Sequence, residues 1–190
     1  MQGTKNFMLT YRKSDNLEVI GYLDSDFSGC VDSKRSTSGY IFTLAGGAIS
    51  WKSSKQTIVA SSTMMAEYLA CFEATGQVVW LKNFLPGLKV VDSISKPLTL
   101  YWDNEPTVFY ANNNKSSAST KHIDLKYCVV QHRIQDQTIN VKHISTTRML
   151  ADPLTKGLPP NIFREHVAGM GLLEASWFWN YGTANINHSP

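Results

Sequence analysis

Cysteine is scarce and scattered. The 190-residue chain has three, Cys30, Cys71 and Cys128, with no Cys-x-x-Cys pair. That excludes a disulfide framework and reads as reduced thiols in an intracellular protein. Long hydrophobic runs are missing too. Every apolar stretch is too short to span a bilayer, and the opening MQGTKNFMLTYRK has no apolar core of a signal peptide. Gly3 stands one position late for myristoylation. Without a secretory route, the glycosylation patterns at Asn114-Lys115-Ser116 and Asn187-His188-Ser189 read as chance matches. Neither sign of charge dominates: the net charge of +3 is compatible with a polyanion partner and does not demand one. Internal repeats and low-complexity tracts are absent. What the chain does have is 43% hydrophobic residues over a length that suits one domain with a sizeable core.

The stretch GYLDSDFSGC follows the apolar run LEVI. In an extended chain Ile20, Tyr22, Asp24 and Asp26 point to one face, so a packed strand ends in two carboxylates. Two further strands follow at 38–47 and 48–56, with Gly46-Gly47 as a hairpin signal, giving an antiparallel meander. The period then becomes helical. From Ser61 to about Leu88 the spacing predicts two helices, or one broken near Gly76, with Ser62 or Thr63 as N-cap. LTLYWD is a short strand ending at Asp103, NEPTVFYANN a short helix and NNKSSAST a polar loop. Ile123, Tyr127, Val130 and Ile134 recur at helical intervals, and 138–144 is a last strand. A short helix or turn surrounds Asp152, and NIFREHVAGMGLL is the final helix. This order suggests a mixed sheet covered by helices.

Three more acids share the setting of Asp24. Glu67 lies among small and apolar residues in a helix, Asp103 ends a strand, and Asp152 follows Met149-Leu150. Semi-buried acids are costly unless paired or bound to metal, and oxygen ligands favour Mg²⁺ or Mn²⁺. Singly, each reads as a solvated loop residue; only a fold can unite them. Two other metal readings fail. DSDFSGCVDSKR has acids or serine at calcium-loop positions 1, 3, 5 and 9 but Arg35 at position 12, where a glutamate is needed. His122, Asp124, His132 and His143 lack the spacing of a zinc site, and His122 with Asp124 reads as a polar pair anchoring a helix start.

RSTSGYIF, SWKSSKQTIVASST followed by AEY, WDN at 102–104, TKHID at 120–124 and ADPLTKGLP at 151–159 occur in order. Together they resemble the ribonuclease H domain of copia-type LTR-retrotransposon Pol polyproteins. The similarity runs from about Gly3 to Leu173. It implies an α/β fold: a ribonuclease H-like mixed five-stranded sheet, three antiparallel strands then two parallel, with helices on both faces. It further implies that residues 1–16 end the reverse transcriptase connection, that 17–173 form the ribonuclease H domain, and that 174–190 are a C-terminal tail that docks or is disordered. The chain would be the C-terminal piece of a larger polyprotein.

Carried over by motif, Asp24, Glu67, Asp103 and Asp152 would hold two Mg²⁺ or Mn²⁺ ions, with Asp24 bridging; the choice of Asp24 over Asp26 stays open. The implied reaction is hydrolysis of the RNA strand of an RNA–DNA hybrid by two-metal catalysis. His143 matches the family's mobile histidine, which assists proton transfer or product release. Phosphate contacts are expected from Lys52, Lys55, Lys115 and Lys121, with Ser62 and Thr63 at a helix N-terminus. The implied partners are the hybrid and the reverse transcriptase domain of the same polyprotein, with no membrane, in a cytoplasmic virus-like particle or the nucleus. The chain departs from the pattern at Met65, where Glu is frequent, at Trp102, where a small residue or Cys is usual, and at Cys128, where His often occurs. Met65 is expected to be tolerated; the bulk of Trp102 beside Asp103 is expected to crowd the sheet. The alternatives are an integrase-like transferase, against which the motifs argue, and an inactive remnant serving as a nucleic-acid-binding or structural module.

Overall fold

The strand that carries Asp24 lies at the centre of the sheet. The computed structural model describes residues 5–13, 17–30, 32–88, 96–113 and 121–175, without the side chains of 121–124. The predicted loop at 114–120, Lys115, the His122–Asp124 pair and the tail from 176 lie outside the described residues.

The strands are β1 (Phe7–Leu9), β2 (Val19–Asp26), β3 (Thr37–Leu44), β4 (Gly47–Lys55), β5 (Leu98–Trp102), β6 (Ile139–His143) and β7 (Leu172–Glu174). The helices are α1 (Thr63–Phe84), α2 (Glu105–Asn112), α3 (Lys121–Gln135), α4 (Asp152–Thr155) and α5 (Pro160–Gly169). The main sheet has the order β4-β3-β2-β5-β6. β2 pairs antiparallel with β3, and β3 with β4. β5 pairs parallel with both β2 and β6. This is the mixed five-stranded sheet expected from the sequence.

Burial explains why β2 is central. Val19, Gly21 and Leu23 are buried on one face, while Tyr22 leans toward the other. On the first face α1 lays Tyr68, Cys71, Ala74, Val78 and Leu81 against Leu23, Phe42, Leu100 and Trp102. On the second, Met149, Ala151 and Met170 pack on Ile41 and Ala48. Both faces of a strand buried in this way must be largely apolar, as β2 is up to Leu23.

Three local expectations change. α1 is continuous through Gly76, beside which a Cβ would meet nothing within 4 Å. A glycine facing open space costs some helix propensity but removes no packing. The β3–β4 turn falls on Ala45-Gly46, not Gly46-Gly47; their φ values of +52° and +74° are what a tight hairpin asks of its two central residues. Finally, β1 and β7 form a second, antiparallel two-stranded sheet that joins the N-terminal segment to the chain after α5.

Candidate metal centre

Asp24 sits opposite Gly39 in the β2–β3 ladder. A Cβ on Gly39 would come within 2.6 Å of Thr155 Cγ2 and 3.0 Å of Leu154 Cβ. Glycine there lets α4 settle directly over Asp24. The helix begins with Asp152 and ends with Thr155, so the approach delivers both residues to the strand end. Asp103 follows the last residue of β5, which is parallel to β2 and adjacent to it, so its carboxylate reaches the same edge.

One oxygen from each of Asp24, Asp103 and Asp152 lies within 4.8 Å of the others. Asp24 and Asp152 are buried, and Asp103 is half-buried. Asp26 is not in this group; its carboxylate fills the space beside Gly29 in the following turn. Of the two acids left open by the sequence, Asp24 is the one whose oxygen lies in this group.

The cost of crowding these charges is visible. Burial, then the charge of Asp24, pushes Asp152 up to about 6, against the pull of Lys156. Burial and Asp24 likewise raise Asp103. A cation already offsets part of the repulsion. Lys156 Nζ lies 3.0 Å from Asp24 Oδ1 and 3.2 Å from Asp152 Oδ1, and the Thr155 hydroxyl donates to the second oxygen of Asp24. Burial works against the charge on Lys156, but Asp24 and Asp152 outweigh it and raise its pKa. An oxygen-only donor set that already holds an ammonium ion fits a hard divalent cation.

Glu67 stands beside this group, not within it. It lies in the second turn of α1, 3% exposed, and its Oε2 accepts a 2.5 Å hydrogen bond from Trp102 Nε1. Burial, then Asp24, pushes it up to about 8, opposed by the Trp102 bond. The N-terminus of α1 is set by Ser62, whose hydroxyl accepts from Met65 N–H at 3.2 Å. Met65 turns away from the acids into a small cluster with Ala60, Ala66 and Leu69. The expected crowding by Trp102 does not occur. Its ring is fully buried, edge-on to Tyr68, and its one polar atom is bonded to Glu67.

His143 ends β6, exposed, with Nε2 3.2 Å from the Asp103 carbonyl oxygen. Thr146 donates to Asp103 Oδ2 at 3.2 Å. Lys52 is ion-paired with Glu73 at 2.9 Å, and Lys55 Nζ lies 3.1 Å from Cys30 Sγ. Both lysines are on β4 and exposed. Thr63 opens α1 next to the capping Ser62. Lys121 begins α3, and its side chain is outside the described residues. Sequence reasoning missed Thr155, Lys156 and Thr146. For Lys156 a signal existed: a lysine four residues after an acid on a helical turn faces that acid.

No protein-family model matches the chain. A retrovirus-related Pol polyprotein from transposon TNT 1-94 of Nicotiana tabacum is 39% identical over 163 residues, covering 86% of this chain. LC11-RNase H1, solved in complex with RNA/DNA hybrid, matches with a TM-score of 0.53 at 19% identity, over 73% of this chain and 94% of its own. The chain belongs with the retrovirus-related Pol polyproteins and has the ribonuclease H fold. A foamy viral protease-reverse transcriptase in complex with RNA/DNA hybrid matches over 78% of this chain and 21% of its own, with a TM-score of 0.53 at 16% identity. This ribonuclease H fold spans only 12% of the length of the tobacco polyprotein.

Proposed function

We propose that the chain hydrolyses the RNA strand of RNA–DNA hybrids, using two Mg²⁺ or Mn²⁺ ions held by Asp24, Asp103, Asp152 and Glu67. The observation that carries this reading is the convergence of three carboxylates within 4.8 Å at one edge of a ribonuclease H-type sheet. Its support includes a hybrid bound to LC11-RNase H1, which shares the fold. Ions bound in this pocket would polarise the scissile phosphate, lower the pKa of the attacking water and stabilise the leaving 3′ oxygen.

The protein's own groups prepare the pocket. Thr155 and Lys156 fix both oxygens of Asp24, and Thr146 orients Asp103. His143, exposed at the rim on the Asp103 carbonyl, would carry protons between the pocket and solvent. Hybrid recognition would rest on phosphates, 2′-hydroxyls and helix shape, not base sequence. Lys52 and Lys55 on β4 and the α1 N-terminus at Ser62 and Thr63 are the contacts proposed here, with Lys115 and Lys121. Residues 1–16 would end the reverse transcriptase connection, 17–173 form the nuclease domain and 174–190 its tail, in a polyprotein whose reverse transcriptase supplies the hybrid. Among the described residues no helix is long and apolar enough to cross a membrane; the proposed setting is an intracellular particle or the nucleus.

The test is a strand-labelled hybrid incubated with Mg²⁺ or Mn²⁺. The expected result is cutting of RNA alone, leaving 5′-phosphate and 3′-hydroxyl ends. Cleavage of duplex DNA with the hybrid intact contradicts the substrate assignment. Binding without cutting in both metals, in this chain and in a longer fragment with its reverse transcriptase, favours the inert module.

A further inference from the structure

Glu67 needs a partner that can reach it inside the protein. A carboxylate stripped of water is costly unless a donor replaces the lost hydrogen bonds. The donor found here is an indole. Trp102 Nε1–H can only donate, and its ring is 0% exposed, so without Glu67 its polar hydrogen would be buried and unpaired. The two groups therefore satisfy each other.

The ring itself is clamped. Tyr68, the neighbour of Glu67 on α1, meets Trp102 edge-on with centroids 5.5 Å apart. Tyr68 is held in turn by Tyr110 at 6.0 Å and Tyr127 at 5.1 Å, which contact each other at 5.5 Å. These aromatics come from α1, α2 and α3. Trp102 directly precedes Asp103, and side chains alternate along a strand end. One residue pair thus sends a donor toward α1 and a carboxylate toward the pocket.

We infer that Trp102 is a positioning residue: its indole N–H fixes the Glu67 carboxylate at the wall of the acidic pocket, ready for a divalent cation, and the aromatic cluster of Tyr68, Tyr110 and Tyr127 holds the indole. The inference rests on the metal-binding reading of the pocket. Its geometric content is that Oε2 of Glu67 is tied to the Trp102 N–H while the charges of Asp24 and Asp103 act on the same carboxyl group. Groups that orient a metal ligand in this way typically carry 10–100-fold in metal affinity.

The experiment measures Mn²⁺ affinity by calorimetry without nucleic acid, for the wild type, Trp102→Phe, Glu67→Gln and the double variant. Phenylalanine keeps a ring against Tyr68 and deletes the donor. Trp102→Phe should weaken Mn²⁺ binding about tenfold, and the double variant should bind no worse than Glu67→Gln alone. Additive losses, or an unchanged affinity in Trp102→Phe, overturn the inference. A wild type that binds no Mn²⁺ overturns the metal reading itself, and the inference with it. A second measurement needs no change at position 102. In ¹⁵N-indole-labelled protein, Glu67→Gln and Mg²⁺ titration should each shift the same one of the five indole N–H signals. If no single indole responds to both, the Trp102–Glu67 link is refuted.

Discussion

Asp103→Asn is expected to lower the rate of RNA-strand cleavage by on the order of 10³-fold, equivalent to about 4 kcal/mol of lost transition-state stabilisation. The metal-free variant should melt no lower than the wild type. Both halves follow from one geometry. Asparagine has nearly the shape of aspartate, but an amide nitrogen carries no lone pair for a cation, and the group loses its charge. One oxygen remains to accept from the Thr146 hydroxyl, 3.2 Å from Asp103 Oδ2. What disappears is a charge that burial and Asp24 already disfavour, since the Asp103 carboxyl is held above its ordinary range. Loss of function without loss of stability is the signature of a charge kept for chemistry. Cleavage kinetics on a hybrid and a melting curve in chelator check the pair. A variant within tenfold of wild-type rate, or one whose lost activity tracks a large fall in melting temperature, contradicts the assignment.

The metal-free wild type is expected to lose stability relative to Glu67→Gln as pH rises from 6.5 to 8, by about 2 kcal/mol. Glu67 has a folded pKa of about 8 against an ordinary value of 4.5, for which burial is the largest cause and Asp24 the next. In that window the unfolded chain has released the proton while the folded chain still binds it. Stability from this group is therefore complete below the ordinary value and is lost as pH climbs toward the folded one. Asp152 behaves the same way, but its window closes at about 6. His166, depressed by burial, acts in the opposite sense below its ordinary 6.5. These groups, and the raised Asp103, are common to both proteins, so the difference between the two stability curves isolates Glu67. Denaturant titrations in chelator at several pH values measure it. Parallel curves contradict a Glu67 that keeps its proton in the metal-free fold. Saturating Mg²⁺, which binds the ionised carboxylate, should reverse the trend in the wild type.

The centre of this fold was legible because strand alternation and the switch to helical spacing are strong local signals. β2 to β6 and α1 to α5 all correspond to expected elements. The missed pieces are weak by physics. β1 and β7 are three residues each, too short to show a period, and they exist because distant segments pair. The hairpin turn lies one residue early because Ala45 accepts a positive φ that its type does not advertise. In the site, Asp24, Asp103 and Asp152 could be named from motifs, but only the sheet order brings their oxygens together. Lys156 stands four residues after Asp152, which is a local signal for that pair, but its second contact, to Asp24, depends on how α4 packs on β2. Trp102 stood out by its bulk, and its bond to Glu67 depends on a side-chain direction that spacing does not encode.

Diffraction from crystals soaked in Mn²⁺, recorded at the manganese edge, tests the acidic pocket most directly. The expected result is anomalous peaks bounded by Asp24, Glu67, Asp103 and Asp152, with the Lys156 ammonium moved out from between Asp24 and Asp152. A pocket without manganese at saturating concentration, with Lys156 still seated on both aspartates, would contradict it.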